Sequence, residues 1–334
     1  YNEVVPKSLD LMRDITPLPH WMNAGFSSYS IWWLLCHYEW YRYHGNKAYL
    51  EQSRDYITAL LRQLMTQIAP DGQECLDGTR FLDWPSNSNK DAIAAGLQAL
   101  MVWGMRVGVE FAELFEDRQL SNDCKAAEKK LVKAASKVYK KFLASCPAPD
   151  APGSKQVTAL MTITGLIDAP KADKEFLSIN GAQGFSTFYG NYQGALDVIR
   201  EYWGAMIDLG ATSFWEDFDI NWIPNAAPID ELVPEGKKDI HGDCGAYCYV
   251  GFRHSLCHGW ASGPTSWLSR HILGVDVIEP GCRQVRITPH LGDLQWVKGT
   301  FPTPYGELQI YHEKQANGNV ISEVKAPKGV SVIK

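Results

Sequence analysis

The chain has 334 residues, 45% of them hydrophobic, with 32 basic and 38 acidic side chains and a formal net charge of -6. That length holds one large domain or two ordinary ones. No basic block is present, so neither nucleic acid nor an anionic membrane is expected as a partner; the richest apolar segment, "IWWLLCHYEWY", is interrupted by His37 and Glu39, short of the roughly 18 residues of a membrane span.

Read in chain order, residues 29–44 predict a helix that ends at Gly45-Asn46. Residues 47–69 predict a second, with Leu50, Ile57, Leu61, Leu64 and Ile68 at helical spacing and Pro70-Asp71-Gly72 as its stop. Residues 73–90 read as irregular. A third helix is predicted from Asp91 to Phe115. A fourth runs from Ser121 to Ser145, with Leu131, Ala135, Val138 and Phe142 on one face and lysines on the other. Shorter helices are expected over 156–168 and 170–178, and a long one over 187–209 with Gly210 as its C-terminal stop. A loop over 211–253 precedes a last helix over 254–273, where Pro264 is expected to kink it.

The period then changes. Residues 283–334 show short alternating runs, "RQVRITP", "LQWVKGTF", "GELQIYH" and "NVISEVKA", bounded by Gly, Pro and Asn. The expectation is a helical part over 1–275 and a small all-β part over 276–334. Long paired helices can close into a toroid, but periodicity alone fits an α-solenoid or a bundle equally well. The eight cysteines are scattered and suggest no disulfide framework. Most read as buried free thiols.

Three stretches could carry chemistry. In "ATSFWEDFD" (211–219), Glu216 sits among Phe214, Trp215 and Phe218. The bland reading is a solvated acidic loop. The functional one is a general base, because apolar surroundings favour the protonated carboxyl and bring such a group into working range near neutral pH. In "FLDWPS" (81–86), Asp83 and Trp84 read either as a turn or as a hydroxyl-binding carboxylate beside a stacking platform. Twelve Trp and fifteen Tyr fit both ordinary core packing and the lining of a sugar cleft. In "HGDCGAYC" and "HSLCHGWASGP", His241, Cys244, Cys248, His254, Cys257 and His258 raise a zinc reading. The pairs lack a Cys-x-x-Cys knuckle, so a hydrogen-bonded His258 in a cleft is preferred and no metal is expected.

"GATSFWEDFD" (210–219), "SLCHGWASGPTSWLSRHILGV" (255–275) and "VIEPGCRQVRITPHLGDLQWVKGTFPTPYGEL" (277–308), together with "FLDWPS" and "TFYGNYQGALDVIREYWGAMIDLG", resemble the α-L-rhamnosidases of glycoside hydrolase family 78. The segments occur in the family's order and cover about a third of the chain. The resemblance implies part of an (α/α)6 toroid over 1–275 followed by a β-sandwich over 276–334, no cofactor, and a carbohydrate ligand containing L-rhamnose. It implies inverting hydrolysis of terminal α-L-rhamnosyl groups, in which two carboxyl groups stand about 6.5–9.5 Å apart with a water between one of them and the sugar. It places the family's general base at Glu216 and its rhamnose-contacting histidine, on the last barrel helix, at His258. Their separation is 258 − 216 = 42 residues, longer than in many relatives, with 222–253 as the added loop. Asp83 and Trp84 match the "LDW" segment, and Tyr29 or Trp32 matches a further pocket aromatic.

The family's general acid lies in a motif with an Arg-Asp-Glu core and a Trp-x-Gly-Asp tail. Here "LDLMRDITPLPHW" (9–21) has Arg13-Asp14 without a following Glu. The resemblance therefore places the acid in sequence N-terminal to this chain. The readings that compete are a non-catalytic rhamnose-binding protein on the same fold and a toroid glycosidase for another sugar.

Overall fold

The structure is a computed structural model that describes residues 3–146, 154–172, 191–244 and 254–333. The chain divides into two compact units, Tyr1–Asn180 with Val277–Gln284, and Gly181–Asp276 with Val285–Lys334.

The first unit is built on helices α1 (Val4–Asp14), α2 (Ser27–His44), α3 (Lys47–Gln52), α4 (Arg54–Thr66), α5 (Lys90–Leu114), α6 (Arg118–Ser145) and α7 (Ser154–Ile163). The Asn89 carboxamide caps α5 by accepting from the Asp91 and Ala92 amides, and the Asp117 carboxylate caps α6 by accepting from Leu120. On α6, Leu120, Cys124, Ala127, Leu131, Val138 and Phe142 are buried at intervals of three, four or seven residues, so one apolar stripe meets the core and the lysines face water. Helix α5 is buried on nearly every side and packs against α2, α4, α6 and α7. By length and composition it could cross a membrane, a property the sequence reading missed. Its most apolar window is 78% buried inside the fold, and that burial accounts for its composition.

The helix predicted over 47–69 is broken. Ser53 separates α3 from α4, is 1% exposed, and its hydroxyl accepts from Arg13 Nη1 at 2.9 Å. That long-range contact, invisible in the local pattern, fixes the interruption. Helix α2 ends at Gly45 with φ +67°, and a Cβ there would stand 2.8 Å from the Gly281 Cα. Glycine is thus required twice over, for the turn and for the close approach of the Val277–Gln284 segment. Arg42 Nη2 donates to the Val277 carbonyl at 3.0 Å and holds the same segment.

The second unit is assembled from shorter pieces. The helix expected over 187–209 is seen as α8 (Tyr192–Val198), a π-turn at Ile199–Trp203 and α9 (Gly204–Asp208), ending before Gly210; its first residues lie outside the described ones. In the first unit, the predicted 170–178 helix is described only at Ala169–Ala172. The last predicted helix is corrected more heavily. Residues 254–258 are not helical, Gly259–Ala261 is a single 3-10 turn, and α10 spans only Gly263–Trp267 before a π-turn at Leu268–Ile272. Pro264 lies in the first turn of α10 and starts the helix rather than kinking it, because its missing N–H is not needed there.

Six strands end the chain: β1 (Val275–Glu279), β2 (Gln284–Ile287), β3 (Trp296–Thr303), β4 (Gly306–Lys314), β5 (Val320–Lys325) and β6 (Ser331–Ile333). They form two three-stranded sheets, ordered β1-β2-β6 and β3-β4-β5. In the second sheet Ile310 pairs with Gly299 on one side and Val324 on the other. Leu308, Ile310 and His312 alternate inward along β4. His312 is fully buried; Nδ1 pairs with the Ser322 hydroxyl at 2.7 Å and Nε2 with the Leu273 carbonyl at 3.1 Å. The four strands predicted by alternation are all present, and the short β1 and β6 are additions.

Candidate active site

The Glu216 loop lies in the second unit and is shaped by a partner segment about forty residues further on. The Glu216 amide donates to the Ser255 carbonyl at 2.8 Å, and the His258 amide donates to the Phe214 carbonyl at 2.7 Å. The Ser213 hydroxyl donates to the Leu256 carbonyl. Along the loop the side chains divide between core and surface. Trp215 and Phe218 turn into a core formed with Tyr202, Met206, Leu209 and Ile240, and Trp215 is 1% exposed. Glu216 takes the other side, with its side chain 15% exposed.

This division decides between the two readings of the aromatics. The aromatics flank Glu216 in order, but two of the three serve as its foundation. The Glu216 carboxylate stands 3.6 Å from His258 Nδ1, whose side chain is 27% exposed. At that distance the two groups attract when the imidazole is protonated and lie just beyond hydrogen-bond reach. His258 is held in an extended conformation ahead of the Gly259–Ala261 turn. The expectation that it lies on a helix is therefore corrected: residues 255–258, anchored to the Glu216 loop, are not helical, and the helix starts at Gly263.

One aromatic of the "HSLCHGWASGP" segment was given no role by the sequence reading. Trp260, in the turn just after His258, is 66% exposed. The turn that carries it is fixed by Ala261 N donating to His258 O at 3.1 Å and by Trp203 Nε1 donating to Ala261 O at 3.1 Å. A large exposed indole on a fixed turn was detectable only as a Trp between glycine and small residues.

The described residues of the zinc reading have other partners or stand apart from a metal cluster. Among the described residues no three His, Cys, Asp or Glu side chains are placed to hold a metal ion. His241 pairs with Asp239 at 2.9 Å, and both ring nitrogens of His254 are engaged within the fold. Cys248 lies outside the described residues. Of the seven described cysteines, Cys124, Cys146, Cys244 and Cys282 are buried, while Cys36, Cys75 and Cys257 are exposed.

The remaining predicted residues lie in the first unit. Asp83 caps a 3-10 turn at Trp84–Ser86 by accepting from the Trp84 amide at 2.8 Å, and its other oxygen accepts from Gln156 Nε2 at 2.7 Å. Trp84 is 41% exposed and stands edge-on to Phe81, which meets Phe26, which meets Tyr29. Asp83, Trp84 and Tyr29 thus belong to one corner. Burial raises the Tyr29 phenol's pKa above its ordinary value, and the negative charge of Asp83 adds to the effect. Trp32 packs edge-on against Trp103 with ring centroids 6.0 Å apart.

The corner is anchored from below. A Cβ at Gly96 of α5 would collide with the Leu82 side chain, so glycine there lets the "FLDW" segment pack closely. Ahead of it, the buried Gln98 carboxamide accepts from the Glu74 amide at 2.7 Å and donates to the Gly72 and Leu131 carbonyls. Glu74 in turn pairs with Arg80. An open groove of about 690 Å3, lined by Met12, Trp21, Asn23, Gly25, Asp77 and Gly78 among others, contains none of the predicted site residues. The Arg13-Asp14 pair closes α1: Arg13 meets Asp14 at 2.8 Å and Asp10 at 3.0 Å.

Comparison with known proteins finds likenesses in both units. Residues 274–333 match the family model described as the bacterial alpha-L-rhamnosidase C-terminal domain. No curated protein sequence matches the chain. Among solved structures, the GH78 family rhamnosidase of Bacillus sp. GL1 has a TM-score of 0.73 at 21% identity, covering 99% of this chain and 36% of its own. The α-L-rhamnosidase from Dictyoglumus thermophilum has a TM-score of 0.70 at 19% identity, covering 98% of this chain and 38% of its own. The Streptomyces avermitilis α-L-rhamnosidase complexed with L-rhamnose has a TM-score of 0.60 at 18% identity, covering 90% of this chain and 28% of its own. The fold is that of the corresponding third of these enzymes, part of an (α/α)6 toroid with a C-terminal β domain. The resemblance read from the motifs points to the same family.

Proposed function

We propose that the chain is the C-terminal portion of the catalytic toroid, with the C-terminal β domain, of an inverting α-L-rhamnosidase. In this reading Glu216 is the general base that takes a proton from the attacking water. His258 hydrogen-bonds the sugar and, when protonated, stabilises the Glu216 carboxylate. Trp260 offers an indole face to an apolar ring face of the substrate. Asp83, Trp84, Tyr29 and Trp32 are proposed as sugar-contacting residues of the first unit. Inversion places the base about 6.5–9.5 Å from the general acid, leaving room for the water. The proposal takes that acid from residues outside this chain, since Arg13-Asp14 is occupied in closing α1.

The observation that carries the reading is the arrangement of Glu216. A mostly buried carboxylate faces a half-buried imidazole at 3.6 Å, on a loop whose flanking aromatics are sunk in the core. A solvated acidic loop has no need of such anchoring. The test is a panel of aryl glycosides incubated with the full-length protein, with the first-formed sugar anomer read by proton NMR. Turnover of the α-L-rhamnoside with release of the β-anomer is expected. Binding of L-rhamnose without turnover of any glycoside would overturn the enzymatic reading in favour of a binding protein.

A further inference from the structure

His254 sits where three loop segments meet. It is 7% exposed, with its ring edge-on to Trp215 and Trp222 at centroid distances of 6.3 and 6.0 Å. Its Nε2 lies 3.1 Å from the Asp217 amide nitrogen, and its Nδ1 lies 3.3 Å from the Ile240 carbonyl oxygen.

These two contacts fix the tautomer. A backbone N–H can only donate, so Nε2 must present its lone pair to Asp217. A carbonyl can only accept, so the ring hydrogen must be on Nδ1, facing Ile240. The neutral Nδ1–H form satisfies both partners at once. The other tautomer would set N–H against N–H at Asp217 and a lone pair against a lone pair at Ile240.

The position of the first contact gives it functional weight. Asp217 directly follows Glu216, and the amide before it, that of Glu216, is already tied to Ser255. The two consecutive amides that flank the Glu216 Cα are therefore both held by the 254–255 dipeptide, one by a carbonyl and one by an imidazole. Without His254, the Asp217 amide loses its acceptor and the backbone can rotate at the residue whose carboxylate must be aimed. An apolar residue of similar size fills the space but leaves that donor unpaired.

We infer that His254 is a positioning residue that sets the aim of the Glu216 carboxylate by accepting from the Asp217 amide. The inference rests on the reading of Glu216 as general base. It assigns His254 neither contact with substrate nor a share in proton transfer.

The test uses steady-state kinetics of the full-length protein on an aryl α-L-rhamnoside. His254→Leu removes the acceptor. His254→Gln places a carboxamide oxygen where Nε2 lies, and His254→Asn reaches only as far as Nδ1. Small misplacements of a catalytic group cost up to about a hundredfold in rate. The expected result is a ten- to hundredfold loss of kcat in His254→Leu and His254→Asn, KM within about twofold, and recovery of most of kcat in His254→Gln. A merely structural role would lower folded yield and thermal midpoint in all three and leave kcat per folded molecule unchanged. Equal kcat in the Gln and Asn variants would overturn the inference, and that pair decides the matter even if the Leu variant does not fold. Glu216→Gln measured alongside separates the two claims. If it abolishes turnover while the His254 variants keep theirs, only the positioning role falls; if Glu216→Gln stays active, the base reading falls and takes the inference with it.

Discussion

The two candidate regions are supported in different ways. The Asp83–Trp84 corner of the first unit rests on long helices, whose backbone groups are satisfied within each helix, and on the close fit of Leu82 over Gly96. The Glu216 loop of the second unit rests on hydrogen bonds between loops: Glu216 to Ser255, His258 to Phe214, and Asp217 to His254. A helix core resists damage by volume and a loop template by hydrogen-bond geometry. The first should lose stability when its packing is cut, while the second should lose aim and stability together.

Matched core truncations test this contrast most strongly. Phe111 in α5 is fully buried and Trp215 is 1% exposed. Either residue replaced by Ala should cost about 3–5 kcal/mol by urea denaturation. Phe111→Ala should leave turnover per folded molecule unchanged, whereas Trp215→Ala should lower it at least tenfold, because the loop bearing Glu216 is seated on that indole. Equal effects on turnover would erase the distinction.

Acid is a second lever, and it acts on both units. Burial pushes the His37 imidazole down to about 4 in the first unit. In the second, burial aided by Arg270 and His290 pushes His271 down to about 4. An unfolded histidine takes a proton near pH 6.5. Between pH 6.5 and 4 the unfolded chain therefore binds protons that the folded chain refuses, and stability falls as pH falls through that window. Above pH 6.5 neither residue contributes a slope. The thermal midpoint should be flat from pH 8 to 7 and decline from 6 to 4. His37→Phe should flatten the part of the decline that belongs to the first unit, and an unchanged profile would contradict the assignment.

The smallest expected effect is at Trp260. Its ring is 66% exposed, so Trp260→Ala should leave the thermal midpoint within about a degree. KM for an aryl or glycosyl substrate should rise roughly three- to tenfold, the worth of one aromatic stacking contact. No change in KM would remove Trp260 from the substrate surface.

Much of the first unit was legible because its determinants are local. The buried stripe of α6 repeats every three or four residues, and Gly45 ends α2 where the pattern ends. The same reasoning failed where a distant partner decides. Ser53 breaks a helix because Arg13, forty residues earlier, reaches its hydroxyl. Residues 254–258 carry helix-compatible side chains yet stay out of a helix, with the Ser255 carbonyl and the His258 amide bonded to residues 216 and 214. For the site, the motif order pointed to Glu216 and His258, and the structure sets them side by side in one unit. His254, weighed from sequence only as a metal ligand, is instead bonded to a backbone amide 37 residues away, which no local pattern encodes.

The most direct test of the account is the turnover of an aryl α-L-rhamnoside by the full-length protein and by its Glu216→Gln variant, with L-rhamnose binding measured in parallel. The account predicts that the variant loses at least a thousandfold in kcat, as expected when the group that activates the attacking water is removed, and binds L-rhamnose within a few-fold of the parent. Near-parental turnover by Glu216→Gln would contradict it.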